Sequence, residues 1–166
     1  LIQQLGEKEQ MAIVAYHSAA DLIQDFTSSR ELLGRAVEQV QYGNSPRLLD
    51  ALYAAIRQGF EGASFRRVVL LLTSGVDGPS RVSEKEVIRL ARRNGVSIYP
   101  VYMVGYGRSL MEKLASQTGG ASFHLREMSQ RMQGSPAARI FEVVRGHYVL
   151  TVAGNLPLGD DFKVEV

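Results

Sequence analysis

The side chains that could carry out catalysis are few in this sequence and lie far apart. Ser74, Asp77 and His147 supply the residue types of a hydrolytic triad. Esterases and lipases place the serine in a Gly-x-Ser-x-Gly turn, whereas Ser74 lies in the segment Leu72-Thr73-Ser74-Gly75-Val76. The sequence therefore does not predict a hydrolase.

Metal and nucleotide chemistry find equally little support. His17, His124 and His147 lack the i, i+4 spacing of a helical zinc site, and the absence of cysteine excludes thiolate ligands, disulfides and a cysteine nucleophile. The absence of cysteine does not indicate whether the protein functions in an oxidising or a reducing compartment. The segment Gly105-Tyr106-Gly107 lacks the third glycine of a dinucleotide-binding loop, and there is no Walker sequence. A nucleotide-binding Rossmann-like domain therefore remains only as an alternative.

The bulk properties indicate one globular domain over residues 1–166. The chain has 166 residues, of which 45% are hydrophobic and 22% charged. Its net charge of +2 and its scattered arginines do not indicate a nucleic-acid partner. The longest apolar run, residues 68–72, is the length of a strand, so no membrane span is predicted.

Alternating strand and helix patterns predict an α/β fold. Residues 11–17 and 20–26 should form an antiparallel edge hairpin, and residues 68–72 a central parallel strand covered on both faces. Residues 147–153 and 162–166 should form two C-terminal strands. Amphipathic helices between the strands predict a doubly wound, mostly parallel sheet with helices on both faces.

Two polar loops follow from this arrangement as the candidate site. Ligands of open α/β sheets bind beyond the carboxyl ends of the strands, and residues 43–46 and 73–80 are the loops expected there. Ser45, before Pro46, is also expected to cap the following helix, and Asp50 to complement the dipole of that helix.

The order of several motifs carries a family resemblance. In chain order they are Phe26-Thr27, Leu49-Asp50-Ala51-Leu52, the run from Arg67 to Asp77, Val96-Ser97-Ile98-Tyr99-Pro100-Val101, the run from Leu114 to Gly120, and Tyr148-Val149-Leu150. Together they resemble von Willebrand factor type A (vWA) domains, and most closely the bacterial VWFA-related group. The resemblance implies a Rossmann-like sheet and no catalysis.

Membership of this family would imply a metal-ion-dependent adhesion site for Mg²⁺ or Mn²⁺. The family builds it from an Asp-x-Ser-x-Ser after the first strand, a Thr before a helix and an Asp after a later strand. Here Ser45 lies near the Thr position, Ser74 stands at the Asp position, and the Asp-x-Ser-x-Ser is not in residues 1–166. We therefore expect a degenerate site without metal. A Mg²⁺-dependent ligand-binding domain is the alternative if preceding residues supply the missing ligands.

The function that the resemblance implies is binding or adhesion to another protein through the edge loops. The residues expected in that contact are Gly43, Asn44, Ser45, Thr73, Ser74, Gly75 and Asp77. The family's first strand is not found in these residues, so the chain is expected to be N-terminally incomplete. Because that strand is central in the family's sheet, we expect a gap beside residues 68–72. Instability, strand exchange or self-association would follow. The resemblance also favours a secreted, extracytoplasmic protein.

Overall fold

Two sheets and six α-helices make up the part of the chain that the computed structural model describes, residues 1–146 except 42, 44, 61, 63, 64, 104, 132 and 133. The strands are β1 (Met11–Tyr16), β2 (Ala20–Thr27), β3 (Arg67–Thr73), β4 (Val96–Tyr102) and β5 (Phe123–His124). The helices are α1 (Arg30–Glu38), α2 (Leu48–Gly59), α3 (Glu84–Arg93), α4 (Arg108–Ser116), α5 (Leu125–Arg131) and α6 (Pro136–Arg145). Short 3-10 helices cover Ile2–Gln4 and Gly105–Gly107. The two predicted C-terminal strands lie outside the described residues.

A parallel sheet in the order β3-β4-β5 forms the centre of the fold. All residues of β4 are buried, because its alternate side chains point to opposite faces and both faces are covered. Val96, Ile98 and Tyr102 pack with α2, α3 and α4, whereas Tyr99 and Val101 pack with α6. This confirms the predicted α/β fold with helices on both faces.

The predicted antiparallel hairpin is also confirmed. β1 pairs with β2 in a separate two-stranded sheet, with Tyr16 opposite Ala20 beside the turn. Helix α1 covers it and buries Leu33 and Ala36 on its inner face. Ser29 begins this helix, since its side chain accepts a hydrogen bond from the Leu32 N–H.

The prediction that residues 68–72 are covered on both faces is only partly met. Among the described strands β3 bonds only to β4, so it lies at the edge of the parallel sheet. Leu71 is buried, but Leu72 is 55% exposed. An apolar run predicts burial of a strand, yet it does not say which neighbours lie beside each of its edges.

Candidate functional site

The two loops that the sequence predicts for the site lie together at the carboxyl edge of the sheet. The Gly78 N–H donates to the carbonyl of Pro46 at 2.6 Å, and the Arg47 N–H donates to the carbonyl of His17, just after β1, at 2.8 Å. We call residues 43–47 and 73–80 the edge loops. Backbone bonds thus join them to each other and to the end of β1.

Asp77 holds the two loops together by capping α2. Its Oδ1 accepts hydrogen bonds from the N–H groups of Leu48, at 2.9 Å, and Leu49, at 3.3 Å, and from the Ser80 hydroxyl at 2.7 Å. A helix N-terminus has N–H groups without partners inside the helix, and a carboxylate also complements the helix dipole. Asp77 therefore caps α2 from the loop after β3, and this role is structural.

The prediction that Ser45 caps this helix is wrong. The N-cap position is Arg47, whose side chain makes no capping bond, and Ser45 is exposed with a φ of 63°. The Asp77 carboxylate supplies the cap instead, because the fold brings it to the first turn of α2.

Asp50 makes the reciprocal contact from within α2. Its Oδ1 accepts hydrogen bonds from the N–H groups of Arg81, at 2.8 Å, and Val82, at 2.9 Å. The loop after β3 is thus fixed at two points by two carboxylates, and backbone N–H bonds to a charged acceptor are among the stronger hydrogen bonds in proteins. These bonds tie the loop after β3 to the start of α2. Asp50 also lies in the first turn of the helix, as predicted.

Thr73 ties the edge loops to the hairpin. Its hydroxyl oxygen accepts hydrogen bonds from the Tyr16 hydroxyl at 2.7 Å and from the Gly75 N–H at 3.1 Å. Burial raises the pKa of Tyr16, so its hydroxyl stays protonated and remains a donor at neutral pH. Tyr16 ends β1 and Thr73 ends β3, so this bond links the two sheets.

Two glycines allow a third loop to pack against this edge. Gly75 is buried with a φ of 99°, a conformation that favours glycine. A Cβ at position 107 would lie 1.8 Å from the Gly75 carbonyl oxygen, so only glycine fits at Gly107. Close backbone packing therefore accounts for the last glycine of Gly105-Tyr106-Gly107 without a phosphate.

Several uncharged residues of the edge face solvent. Gly43, Ser45 and Ser74 are exposed, and Met103, just after β4, is 57% exposed. Asn44 lies outside the described residues. Of the predicted contact residues, the structure thus leaves three on the surface and gives Thr73, Gly75 and Asp77 structural contacts.

The acidic and histidine side chains do not converge on a metal position in the described part of the chain. There, no group of three or more His, Cys, Asp or Glu side chains could hold an ion. His17 Nδ1 accepts from the Ser18 N–H at 2.8 Å, and His124 Nδ1 from the Glu127 N–H at 3.3 Å. His147 lies outside the described residues, and neither described histidine ring hydrogen-bonds to Ser74 or Asp77.

Sequence reasoning missed three contributors to the site, namely Tyr16, Ser80 and the structural use of Asp50. The spacing of Asp77 and Ser80, three residues apart in a turn, is a usable signal for a local carboxylate–hydroxyl bond. Tyr16 offers none, because its partner Thr73 is 57 residues away.

The arrangement of strands, helices and loops defines a Rossmann-like α/β domain with the edge loops at the carboxyl ends of the strands. The family model of the von Willebrand factor type A domain matches residues 1–136, and the chain belongs to that family. Members of this family typically mediate protein–protein interaction and are generally not enzymes. No match was found among curated protein sequences.

Solved structures show the same fold at low sequence identity. An aerotolerance-related membrane protein from Bacteroides fragilis has a TM-score of 0.62 at 11% identity, with 88% of this chain and 83% of that one covered. BatB, a conserved hypothetical protein from Bacteroides thetaiotaomicron, has a TM-score of 0.59 at 12% identity, with 87% and 83% covered.

A third neighbour is similar over a smaller share of its own length. Proximal thread matrix protein 1 from the mussel byssus, described with a zinc-occupied MIDAS motif, has a TM-score of 0.62 at 22% identity, with 76% of this chain and 34% of that one covered. At these identities the likeness concerns the fold alone. In the described part of the present chain, no helix is long and apolar enough to cross a membrane.

Proposed function

We propose that this domain binds another protein through its edge loops, without catalysis and without a bound metal ion. The observation that carries the proposal is the pair of carboxylates, Asp77 and Asp50, that anchors the loop after β3 to the start of α2. An anchored loop loses less conformational freedom on binding than a free one, which favours affinity in a contact surface.

The same contacts support metal-free binding. The Oδ1 atom of Asp77 already accepts two backbone N–H groups and the Ser80 hydroxyl, so it is engaged inside the protein. Ser74, at the family's Asp position, contributes a neutral hydroxyl on the surface. Hard cations such as Mg²⁺ depend on carboxylate oxygens, and a lone serine hydroxyl is a weak substitute.

A thermal melt tests the metal-free part of the proposal. We expect the same melting temperature in Mg²⁺, in Mn²⁺ and in EDTA. A metal at about a hundred times its dissociation constant would add about 2.7 kcal/mol, or several degrees for a domain of this size. A shift of that size, lost in Ser74→Ala, would show a working metal site and contradict the proposal.

A pair of matched substitutions tests the surface itself. Ser74→Arg places a large charged side chain on the edge, and Ser116→Arg makes the same change at the exposed end of α4. A binding partner isolated with the unmodified domain should lose affinity for Ser74→Arg and keep it for Ser116→Arg. Equal binding to both variants would remove the edge loops from the contact.

Self-association is a second part of the proposal. β3 has an edge without a strand partner among the described residues, and Leu72 on it is 55% exposed. Unpaired strand edges promote pairing between chains, and a charged side chain on them opposes it. Analytical ultracentrifugation tests this: we expect the chain to associate as its concentration rises, and Leu72→Lys to reduce that association. Association that is unchanged in Leu72→Lys would contradict contact through this edge.

An extracytoplasmic location stays a prediction.

A further inference from the structure

A small pocket lies beside the edge loops, between the hairpin and the end of α1. Its volume is about 210 Å³, and its lining residues are Ala15, His17, Asp21, Ile23, Gln39 and Gln41. We call it the hairpin pocket. Pockets for cofactors and drug-sized ligands are typically about 300–1,000 Å³, so this one fits a single long side chain better than a nucleotide.

The charge of the hairpin pocket is negative. Among the described residues that line it, Asp21 is the one carboxylate and there is no lysine or arginine. Helix α1 ends beside it, with Gln39 as its C-cap, and the carbonyl end of a helix carries a partial negative charge that favours cations. The amide oxygens of Gln39 and Gln41 can accept further hydrogen bonds.

The Asp21 carboxylate is accessible and held in place by a neighbour. Asp21 Oδ2 lies 3.2 Å from His17 Nε2, and the side chains are 53% and 31% exposed respectively. The His17 ring is fixed in turn, because its Nδ1 accepts the Ser18 N–H at 2.8 Å. A carboxylate oriented in this way keeps lone pairs free for a second donor.

Part of the pocket wall is apolar. Ala15 is buried and Ile23 half-buried. A lysine side chain has an apolar stem and a compact ammonium group with three donors, and it readily places the stem on apolar surface while the charge stays at a polar rim. The pocket thus matches lysine in both parts.

His17 makes the hairpin pocket continuous with the edge loops. A Cβ at position 43 would lie 2.6 Å from the Cβ of His17, so the backbone of Gly43 rests directly on this residue. The carbonyl of His17 also accepts the Arg47 N–H at 2.8 Å. The hairpin pocket therefore lies directly beside the edge loops.

We infer that the hairpin pocket receives a lysine side chain of the protein that docks on the edge loops, with its ammonium group on Asp21 and the amide oxygens of Gln39 and Gln41. This inference rests on the proposed protein-binding function and names the chemistry of the partner. Its attraction is partly exposed to solvent, so it contributes specificity more than affinity.

The test uses the chain with a peptide probe, so it does not depend on finding the partner. An acetylated, amidated Gly-Lys-Gly peptide is titrated into the isotope-labelled chain and followed by NMR. We expect concentration-dependent shifts at the amides of Asp21, Gln39 and Gln41, and none with Gly-Glu-Gly. No shift at these amides with the lysine peptide, or equal shifts with both peptides, would overturn the inference.

Matched variants locate the contact. Asp21→Asn should weaken binding of the lysine peptide about fivefold, the effect of a partly exposed ion pair, and Asp25→Asn on the same strand should leave it unchanged. Gln39→Arg, which leaves Asp21 intact, should abolish it by placing a cation at the pocket. Equal losses in the Asp21 and Asp25 variants would overturn the inference. If the lysine peptide does not bind but Ser74→Arg still weakens partner binding, this inference fails and the proposed function stands.

Discussion

The two sheets of this domain are built on the same rule of alternating side chains but differ in how their faces are covered. Every residue of β4 is buried, whereas in the hairpin Ala15 is the single buried residue of β1 and none of β2 is buried. Helices cover β4 on both faces, and α1 and α2 contact the hairpin. The comparison indicates that stability is concentrated in the parallel sheet and that the hairpin depends on tertiary contacts.

The largest expected difference is between isoleucines of the two sheets. Ile98 in β4 has no exposed surface, and its replacement by alanine should cost about 3–4 kcal/mol of unfolding free energy, since it leaves a cavity. Ile23→Ala in half-buried β2 should cost about 1 kcal/mol. Urea denaturation measures both, and equal losses would show that the hairpin is as important to the core as β4.

The Asp77 cap should rank second. Asp77→Ala removes the acceptor of the Leu48 and Leu49 N–H groups, and we expect a loss of about 1–2 kcal/mol. The control is Asp25→Ala in the hairpin, an exposed carboxylate that bonds to the adjacent Phe26 N–H. Chemical denaturation of the two variants compares them. A neutral Asp77→Ala would mean that water serves the helix as well as the carboxylate does.

The bond between the two sheets should contribute less. Tyr16→Phe removes the hydroxyl that donates to Thr73, with an expected cost of about 1 kcal/mol. A double-mutant cycle with Thr73→Val isolates the interaction, because both changes nearly preserve shape. Additive losses in thermal or urea unfolding would show that the sheets are joined by packing alone.

The smallest effect concerns the ion pair that joins the N-terminal segment to α6. The hydrogen bond from Arg145 holds the pKa of Glu9 below its ordinary value of 4.5, although partial burial opposes this. A carboxyl group whose pKa is lower in the folded state than in the unfolded state stabilises the fold. This contribution is present at pH values above the unfolded-state pKa and is lost as the pH falls through the folded-state pKa. Because both side chains are well exposed, we expect only a few tenths of a kcal/mol.

Glu9→Gln tests this ion pair. The substitution should remove that small contribution at pH 7 and flatten the stability profile below about pH 4.5, where the carboxylate begins to titrate. Urea unfolding at several pH values measures it. If the unfolding free energy of Glu9→Gln depends on acidic pH as that of the unmodified chain does, other carboxylates determine the loss of stability in acid.

Some helix starts depend on residues close in sequence, and others depend on distant contacts that the sequence does not reveal. The capping box of Ser83 with Glu86 and the Ser135-Pro136 start of α6 lie within one turn of the helices that they begin. Ser45 gave the same kind of signal but failed, because Asp77 occupies the role from a loop 29 residues away.

In the candidate site too, one part could be predicted from sequence and another could not. The position of the loops follows from the predicted parallel sheet, because loops after parallel strands lie at its carboxyl edge. The exposure of side chains could not be predicted, because it depends on the internal contacts of Thr73, Gly75 and Asp77. The hairpin pocket was not foreseen, because it forms where the end of α1 meets β1 and β2.

The reciprocal caps also bear on the order in which the domain folds. The N–H groups at the start of α2 receive their acceptor from Asp77, which follows β3, so that turn cannot be completed before β3 and its loop are in place. Contacts between distant positions form late because closing the intervening loop is entropically costly. Loss of the cap should therefore accelerate unfolding more than it slows folding, which makes Asp77 a determinant of the lifetime of the native state.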